Sequence, residues 1–256
     1  MPTIVIAGAG PGLSRSVARR YGHEGYEVVL VARRPDRLQA LAQDLTADGI
    51  RALSVPGDLS DPAGMADLAA RIRADAGDPD VLYYAPTSPD MAFVPAAELT
   101  VATIEATTRL LLESFVELIQ AFLPHMLDQR AGAILTAQGA TTLTGTPGMS
   151  GPGPAMAAQR NYLQALGLEL EDRGVFVGRV YISSLIKNSA IHQTARESGQ
   201  KIPDAMLVDP DDLADRLWRM HHRGRPHETV VPAWGRVFGS VMSSKPGRRI
   251  AARFDV

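Results

Sequence analysis

The 256-residue chain has no cysteine. Disulfides, thiolate nucleophiles and Cys-ligated metals are therefore excluded. Lysine is nearly absent as well. Of 26 basic residues only Lys187, Lys201 and Lys245 carry an ammonium, so chemistry needing one before residue 187 has none to use. Excess charge is missing: Asp plus Glu is 28 and the formal net charge is −2. No global basic field exists to hold nucleic acid or an anionic membrane. No run of eighteen apolar residues is free of charge, so no spanning helix is expected. The chain enters a strand-like segment without a basic leader, so no secretory signal is expected. The six histidines are scattered, and the adjacent pair His221 and His222 cannot share a helical face, so no metal site is expected. The expectation is a soluble, cytoplasmic protein that takes a small-molecule ligand and neither nucleic acid nor membrane.

What is present is an alternation. Residues 3–7 form an apolar, β-branched run, followed by Gly8, Gly10 and Gly12 and then by Leu13, Val17, Ala18 and Tyr21 at helical spacing. A second buried-strand pattern covers 27–32, completing a unit of βαβ size. Helices are predicted at 36–47, 62–76, 101–128, 154–172 and 209–222. Strands are predicted at 51–55, 80–85, 133–137, 175–182 and 228–231. Asp61 is the expected cap of the 62–76 helix, with Pro62 at its first position. Strands alternating with helices imply a doubly wound, parallel Rossmann sheet with helices on both faces, in one domain over 1–256. The Gly/Pro-rich stretch 145–154 lies inside the alternation and reads as a loop. The helix 101–128 carries two apolar rows, Phe115, Leu118 and Phe122 in one and Leu112, Ile119 and Leu123 in the other. So wide a stripe fits either a deeply covered core helix or a subunit interface.

The turn Gly8-Ala9-Gly10-Pro11-Gly12-Leu13-Ser14-Arg15 opens a helix after a strand. Glycines there let backbone N–H groups approach a pyrophosphate at the helix N-terminus. A sharp turn without ligand is the bland alternative. The second strand ends in Ala32-Arg33-Arg34. NAD binders usually place a carboxylate there for the ribose 2′-hydroxyl. Two guanidiniums instead suit a 2′-phosphate, which they can grip bidentately. With Arg15 in the loop, this favours NADP(H).

In order and spacing these motifs resemble the short-chain dehydrogenase/reductase family over nearly the full length. Gly8 to Ser14 resembles the family's Gly-x-x-x-Gly-x-Gly loop, with Ser14 replacing the third glycine. Gly57-Asp58-Leu59-Ser60-Asp61 resembles the segment that flanks the adenine. Tyr83-Tyr84-Ala85-Pro86 stands where the family has Asn-Asn-Ala-Gly. The resemblance implies cofactor contacts at Gly8, Gly10, Gly12, Leu13, Arg15, Arg33, Arg34, Asp58, Leu59 and Ala85. It also implies a homo-oligomer, dimer or tetramer. The family's chemistry uses an Asn-Ser-Tyr-Lys tetrad, because hydride delivery to a carbonyl builds alkoxide charge that needs a proton donor within reach. Aligned by its flanks, this chain has Leu111, Gly139, Pro152 and Met156 at those positions. None can donate or relay a proton. None of the six tyrosines has a lysine four residues later, so a shifted register does not restore the motif. Polar residues near the central strand are Thr136, Gln138, Thr141 and Thr142. Tyr84 is the candidate substitute donor. Three functions remain open: an unconventional NADP(H)-dependent oxidoreductase, a non-redox cyclase or isomerase reusing the cleft, and a catalytically inactive dinucleotide-binding protein.

Overall fold

The computed structural model describes residues 1–88, 91–197, 199 and 202–232. Strand β1 (Thr3–Ala7) leads through the glycine turn to α1 (Leu13–His23). After it come β2 (Glu27–Ala32), α2 (Pro35–Ala47), β3 (Ala52–Pro56), α3 (Met65–Ala76) and β4 (Val81–Tyr84). One long helical run comes next: α4 (Val101–Thr108), a π-helical turn (Arg109–Glu113) and α5 (Ser114–Asp128). The chain continues through β5 (Gly132–Gly139), α6 (Gly153–Leu170), β6 (Val175–Ile182), β7 (Leu185–Ile186), α7 (Ala190–Glu197), β8 (Leu207–Val208), α8 (Pro210–Arg223) and β9 (Glu228–Val231). Seven strands form one parallel sheet in the order β3-β2-β1-β4-β5-β6-β9, while β7 and β8 pair separately.

The central strands are apolar on both faces because helices cover both. Side chains alternate across β1: Ile4 and Ile6 join Val17, Tyr21, Leu45 and Leu217 under α1, α2 and α8. Val5 and Ala7 join Leu68, Phe115, Phe122 and Leu163 under α3, α5 and α6. By length and hydropathy the run Val101–Asp128 qualifies as a membrane span, contrary to the expectation drawn from its charges. Phe115, Leu118 and Phe122 nevertheless have no exposure, which makes α5 a core helix on its sheet-facing side.

Two expectations are corrected. Asp61 precedes a short 3₁₀ turn at Pro62–Gly64 rather than α3 itself, and its side chain caps neither. The predicted helix 101–128 is interrupted by the π turn. By contrast Asp209 caps α8 as its side chain accepts from the Asp211 N–H at 3.0 Å. The last sheet pair is tied to α6 by Glu228, which accepts from Arg160 at 2.8 Å and from the buried Arg179 at 3.3 Å. Of the lysines, Lys187 lies 3.8 Å from Asp209, whereas Lys201 and Lys245 fall outside the described residues.

Candidate active site

In open α/β sheets ligands bind beyond the carboxyl ends of the strands, where the strand order reverses. Here the reversal lies between β1 and β4, and the glycine turn sits on it. Gly8 adopts φ +95°, and a Cβ there would lie 2.5 Å from the Pro86 Cα. Only glycine allows this approach of the turn to the chain leaving β4. The N–H groups of Gly8 and Ala9 both donate to the Val31 carbonyl, at 3.0 and 2.9 Å, and the Ser14 hydroxyl donates to the Gly8 carbonyl at 2.8 Å. Among the described residues, nothing lies within 4 Å of where a Gly10 Cβ would stand. Gly12 precedes α1, and no described side chain caps that helix. The Arg15 and Ser16 N–H groups donate to the Gly12 carbonyl at 3.1 and 3.4 Å, whereas those of Leu13 and Ser14 precede the helical ladder and can serve an anion.

The other expected cofactor residues separate into two groups. Arg33 and Arg34 are exposed at the end of β2. Asp58 lies beside Arg33. Burial works to raise its carboxyl pKa, but the Ser60 hydroxyl and N–H and the Arg33 charge outweigh that and hold it below the usual value. Ala85 is anchored by its N–H to the Ala7 carbonyl at 3.0 Å. Arg15 points outward and pairs with Asp44 at 3.5 Å. Leu13 and Leu59 are buried in the two halves of the core, so only their backbone faces the mouth of the sheet.

The β5–α6 end is built differently. Pro152 stands at the N-terminus of α6 and Met156 is buried one turn later. Gly151, at φ +38°, is pressed against the Ala92 carbonyl. Gly139 ends β5. Leu111 lies in the π turn, where the wider winding takes backbone carbonyls out of the ordinary helical ladder. Two of them are satisfied by side chains from other elements. The Tyr84 hydroxyl donates to the Leu110 carbonyl at 2.5 Å, and Gln159 Nε2 of α6 donates to the Leu111 carbonyl. Gln138 Nε2 of β5 donates in turn to Gln159 Oε1 at 2.6 Å. Here β4, β5, the π turn and α6 are joined by neutral hydrogen bonds.

This geometry corrects the expectation for Tyr84. Its ring has no exposure and stacks on Phe115 at 4.3 Å. Burial pushes its pKa up, and its proton is committed to a backbone carbonyl. It is a core tyrosine, not a donor facing a ligand. Tyr83 points to the opposite face and meets Ser14, with its pKa also raised by burial. Gln159 is a site residue that the sequence reading does not single out. Its signal is there all the same: it interrupts the apolar row Ala155, Leu163, Leu166 and Leu170 on the buried face of α6. Ser189 is another. It roofs the glycine turn, 3.6 Å from where a Gly12 Cβ would stand, and no local pattern marks it.

Comparison with known proteins places these features in context. The model of the short chain dehydrogenase family matches residues 2–198. The 2,3-dihydro-2,3-dihydroxybenzoate dehydrogenase of Bacillus subtilis is 25% identical over 227 residues, covering 83% of this chain and 85% of that protein. A short-chain dehydrogenase from Sphingobium yanoikuyae, solved in complex with NADPH, superposes with a TM-score of 0.74 at 25% identity, covering 100% of this chain and 96% of that one. The L-sorbose reductase of Gluconobacter frateurii, complexed with NADPH and L-sorbose, superposes with a TM-score of 0.80 at 20% identity, covering 91% and 95%.

Proposed function

The chain belongs to the short-chain dehydrogenase family, and on that premise we propose that it is an NADP(H)-binding oxidoreductase working without the family's Tyr/Lys acid–base pair. The observation that carries the cofactor choice is the pair Arg33 and Arg34, exposed at the end of β2 beside the uncapped start of α1. A 2′-phosphate would be gripped by these guanidiniums. Gly8, Gly10, Gly12 and Leu13 would present backbone to the pyrophosphate. Arg15 would swing from Asp44 to assist, while Asp58, Leu59 and Ala85 would frame the adenine and ribose. NADPH is the ligand of the Sphingobium yanoikuyae neighbour, which supports the same reading. When bound, NADP(H) supplies a hydride to an acceptor or takes one from a donor.

The chain's own residues decide which acceptors suit the cleft. At the positions where the family has its tetrad stand Leu111, Gly139, Pro152 and Met156, and none of these side chains holds or moves a proton. The Tyr84 hydroxyl is engaged by Leu110. A simple ketone therefore finds no acid for the developing alkoxide. Acceptors that take their proton from water, such as an enone, an imine or a quinone-like group, fit the cleft better. A soluble homo-oligomer that acts on a small molecule in the cytoplasm accords with this function.

Calorimetry with NADPH and NADH tests the proposal. NADPH is expected to bind more tightly, and equal affinity or no binding of either would sink it.

A further inference from the structure

The C-terminal end of β5 carries a polar atom that the fold leaves unused. Gly139 ends the strand, and a Cβ built on it would find one atom within 4 Å: the Thr141 hydroxyl oxygen, at 3.4 Å. Among the described residues, no other atom beyond the chain neighbours of Gly139 lies within 4 Å of that position. The Thr141 hydroxyl is itself buried and has no hydrogen-bond partner among the described residues. Buried hydroxyls are almost always paired, so an orphan at the mouth of a sheet calls for a partner supplied from outside. It is also held in place. Residues Ala140–Thr142 form a 3₁₀ turn, closed by the Leu143 N–H on the Ala140 carbonyl at 2.9 Å and by the Thr142 hydroxyl on the Gly139 carbonyl at 2.7 Å. Neighbouring Thr142 is thus occupied in fixing the turn that leaves Thr141 free.

The surroundings define the ligand's chemistry. Residues 131–159, from the start of β5 into α6, include no Asp, Glu, Lys, Arg or His. The polar groups there are hydroxyls and amides; Nε2 of Gln138 and of Gln159 donate within the protein, while Gln138 Oε1 is, like the Thr141 hydroxyl, buried without a partner among the described residues. A carboxylate or ammonium held by this segment loses hydration and gains no counter-charge from it. A neutral carbonyl or hydroxyl oxygen needs only one donor.

We propose that Thr141 is the ligand-binding hydroxyl of the cleft, set beside Gly139 to hold the oxygen of an uncharged substrate. The proposal rests on the oxidoreductase reading for the substrate's role, and on the β5 geometry alone for its binding.

Cyclohex-2-enone is a suitable neutral probe, with cyclohex-1-ene-1-carboxylate as its charged counterpart. Both are titrated by saturation-transfer NMR into the full chain and into Thr141→Val and Thr141→Ser, with and without NADPH. The valine variant keeps the side-chain shape and removes the hydroxyl, while the serine variant retains the hydroxyl. Wild type and T141S are expected to bind the enone, T141V to bind it about tenfold more weakly, and the carboxylate to bind none of the three. Enone binding that T141V leaves unchanged, no enone binding to wild type, or carboxylate binding as tight as the enone's would each overturn the proposal. NADPH affinity, measured by calorimetry on the same samples, separates it from the reading it rests on. Enone binding that depends on Thr141 in a chain that ignores NADPH supports this proposal and sinks the dinucleotide reading. NADPH binding without enone binding does the reverse.

Discussion

The two ends of the binding edge are built from different materials. At the β1–β3 end the chain offers backbone N–H groups, a left-handed glycine and two exposed guanidiniums. At the β5–α6 end it offers proline, methionine, glycine, leucine and a chain of amides, with no ionisable side chain from 131 to 159. The first end suits an anion of fixed shape. The second suits hydrogen bonding without proton transfer. On the proposed reading, the surface that would hold the cofactor and the surface that would perform acid–base chemistry can change independently, because different elements supply them.

Each end can be broken separately. The largest effect is expected at Gly8. An added Cβ would meet the backbone of Pro86 and Ala85 at 2.5–2.8 Å in a conformation that side chains avoid. Gly8→Ala is expected to cost about 2–4 kcal/mol of stability in urea unfolding, and NADPH affinity with it. An unchanged unfolding midpoint would show that the turn is looser than described.

Acid should also act unevenly. His221 of α8 packs against Tyr21, Trp218 and Phe176, and its Nδ1 meets the Tyr21 hydroxyl at 3.1 Å. Burial, aided by the neighbouring His222, pulls its pKa down from 6.5 to about 4. The folded state then binds fewer protons than the unfolded one between these values. The stabilisation is fully present above pH 6.5 and lost as pH falls towards 4, a change of about 3 kcal/mol by linkage. Hydrogen exchange at pH 4.5 should loosen α1 and α8 before β5 and α6. Uniform loosening would contradict the assignment.

A smaller effect separates the amide chain from the apolar residues around it. Gln159→Leu strands the Leu111 carbonyl and the Gln138 amide, at a cost of roughly 1–3 kcal/mol. Met156→Leu, close in volume, should cost less than about 1.5 kcal/mol. Equal thermal shifts would mean that the hydrogen bonds to the π turn contribute little. The smallest effect is on affinity alone. Arg33→Ala is expected to weaken NADPH about tenfold in calorimetry, as befits one charged hydrogen-bonding pair, and to leave NADH unchanged.

The strands at 3–7, 27–32, 175–182 and 228–231 are legible in the sequence to the residue, because turns bound short, strongly apolar runs on both sides. The glycine turn is legible for the same reason: its shape is carried by local backbone. The rest depends on contacts between distant parts of the chain. The π turn at Arg109–Glu113 exists where Tyr84 and Gln159 reach its carbonyls, and helical periodicity does not register it. Helix α7 has eight residues and β7 and β8 two each, too short for a repeating pattern to stand out from the surrounding loop. Tyr84 misleads because a tyrosine at a strand end looks alike in sequence whether it faces a ligand or a core. The stack on Phe115 settles which.

The central claim is that this chain holds NADP(H) but lacks an acid for ordinary carbonyl reduction. The most direct test is NADPH oxidation with cyclohexanone, by protein first saturated with NADPH in a calorimeter. Saturable binding with oxidation no faster than in buffer is the predicted result. Rapid oxidation by the wild type would contradict it, and its persistence in Tyr84→Phe would mean that a proton donor stands elsewhere in the cleft.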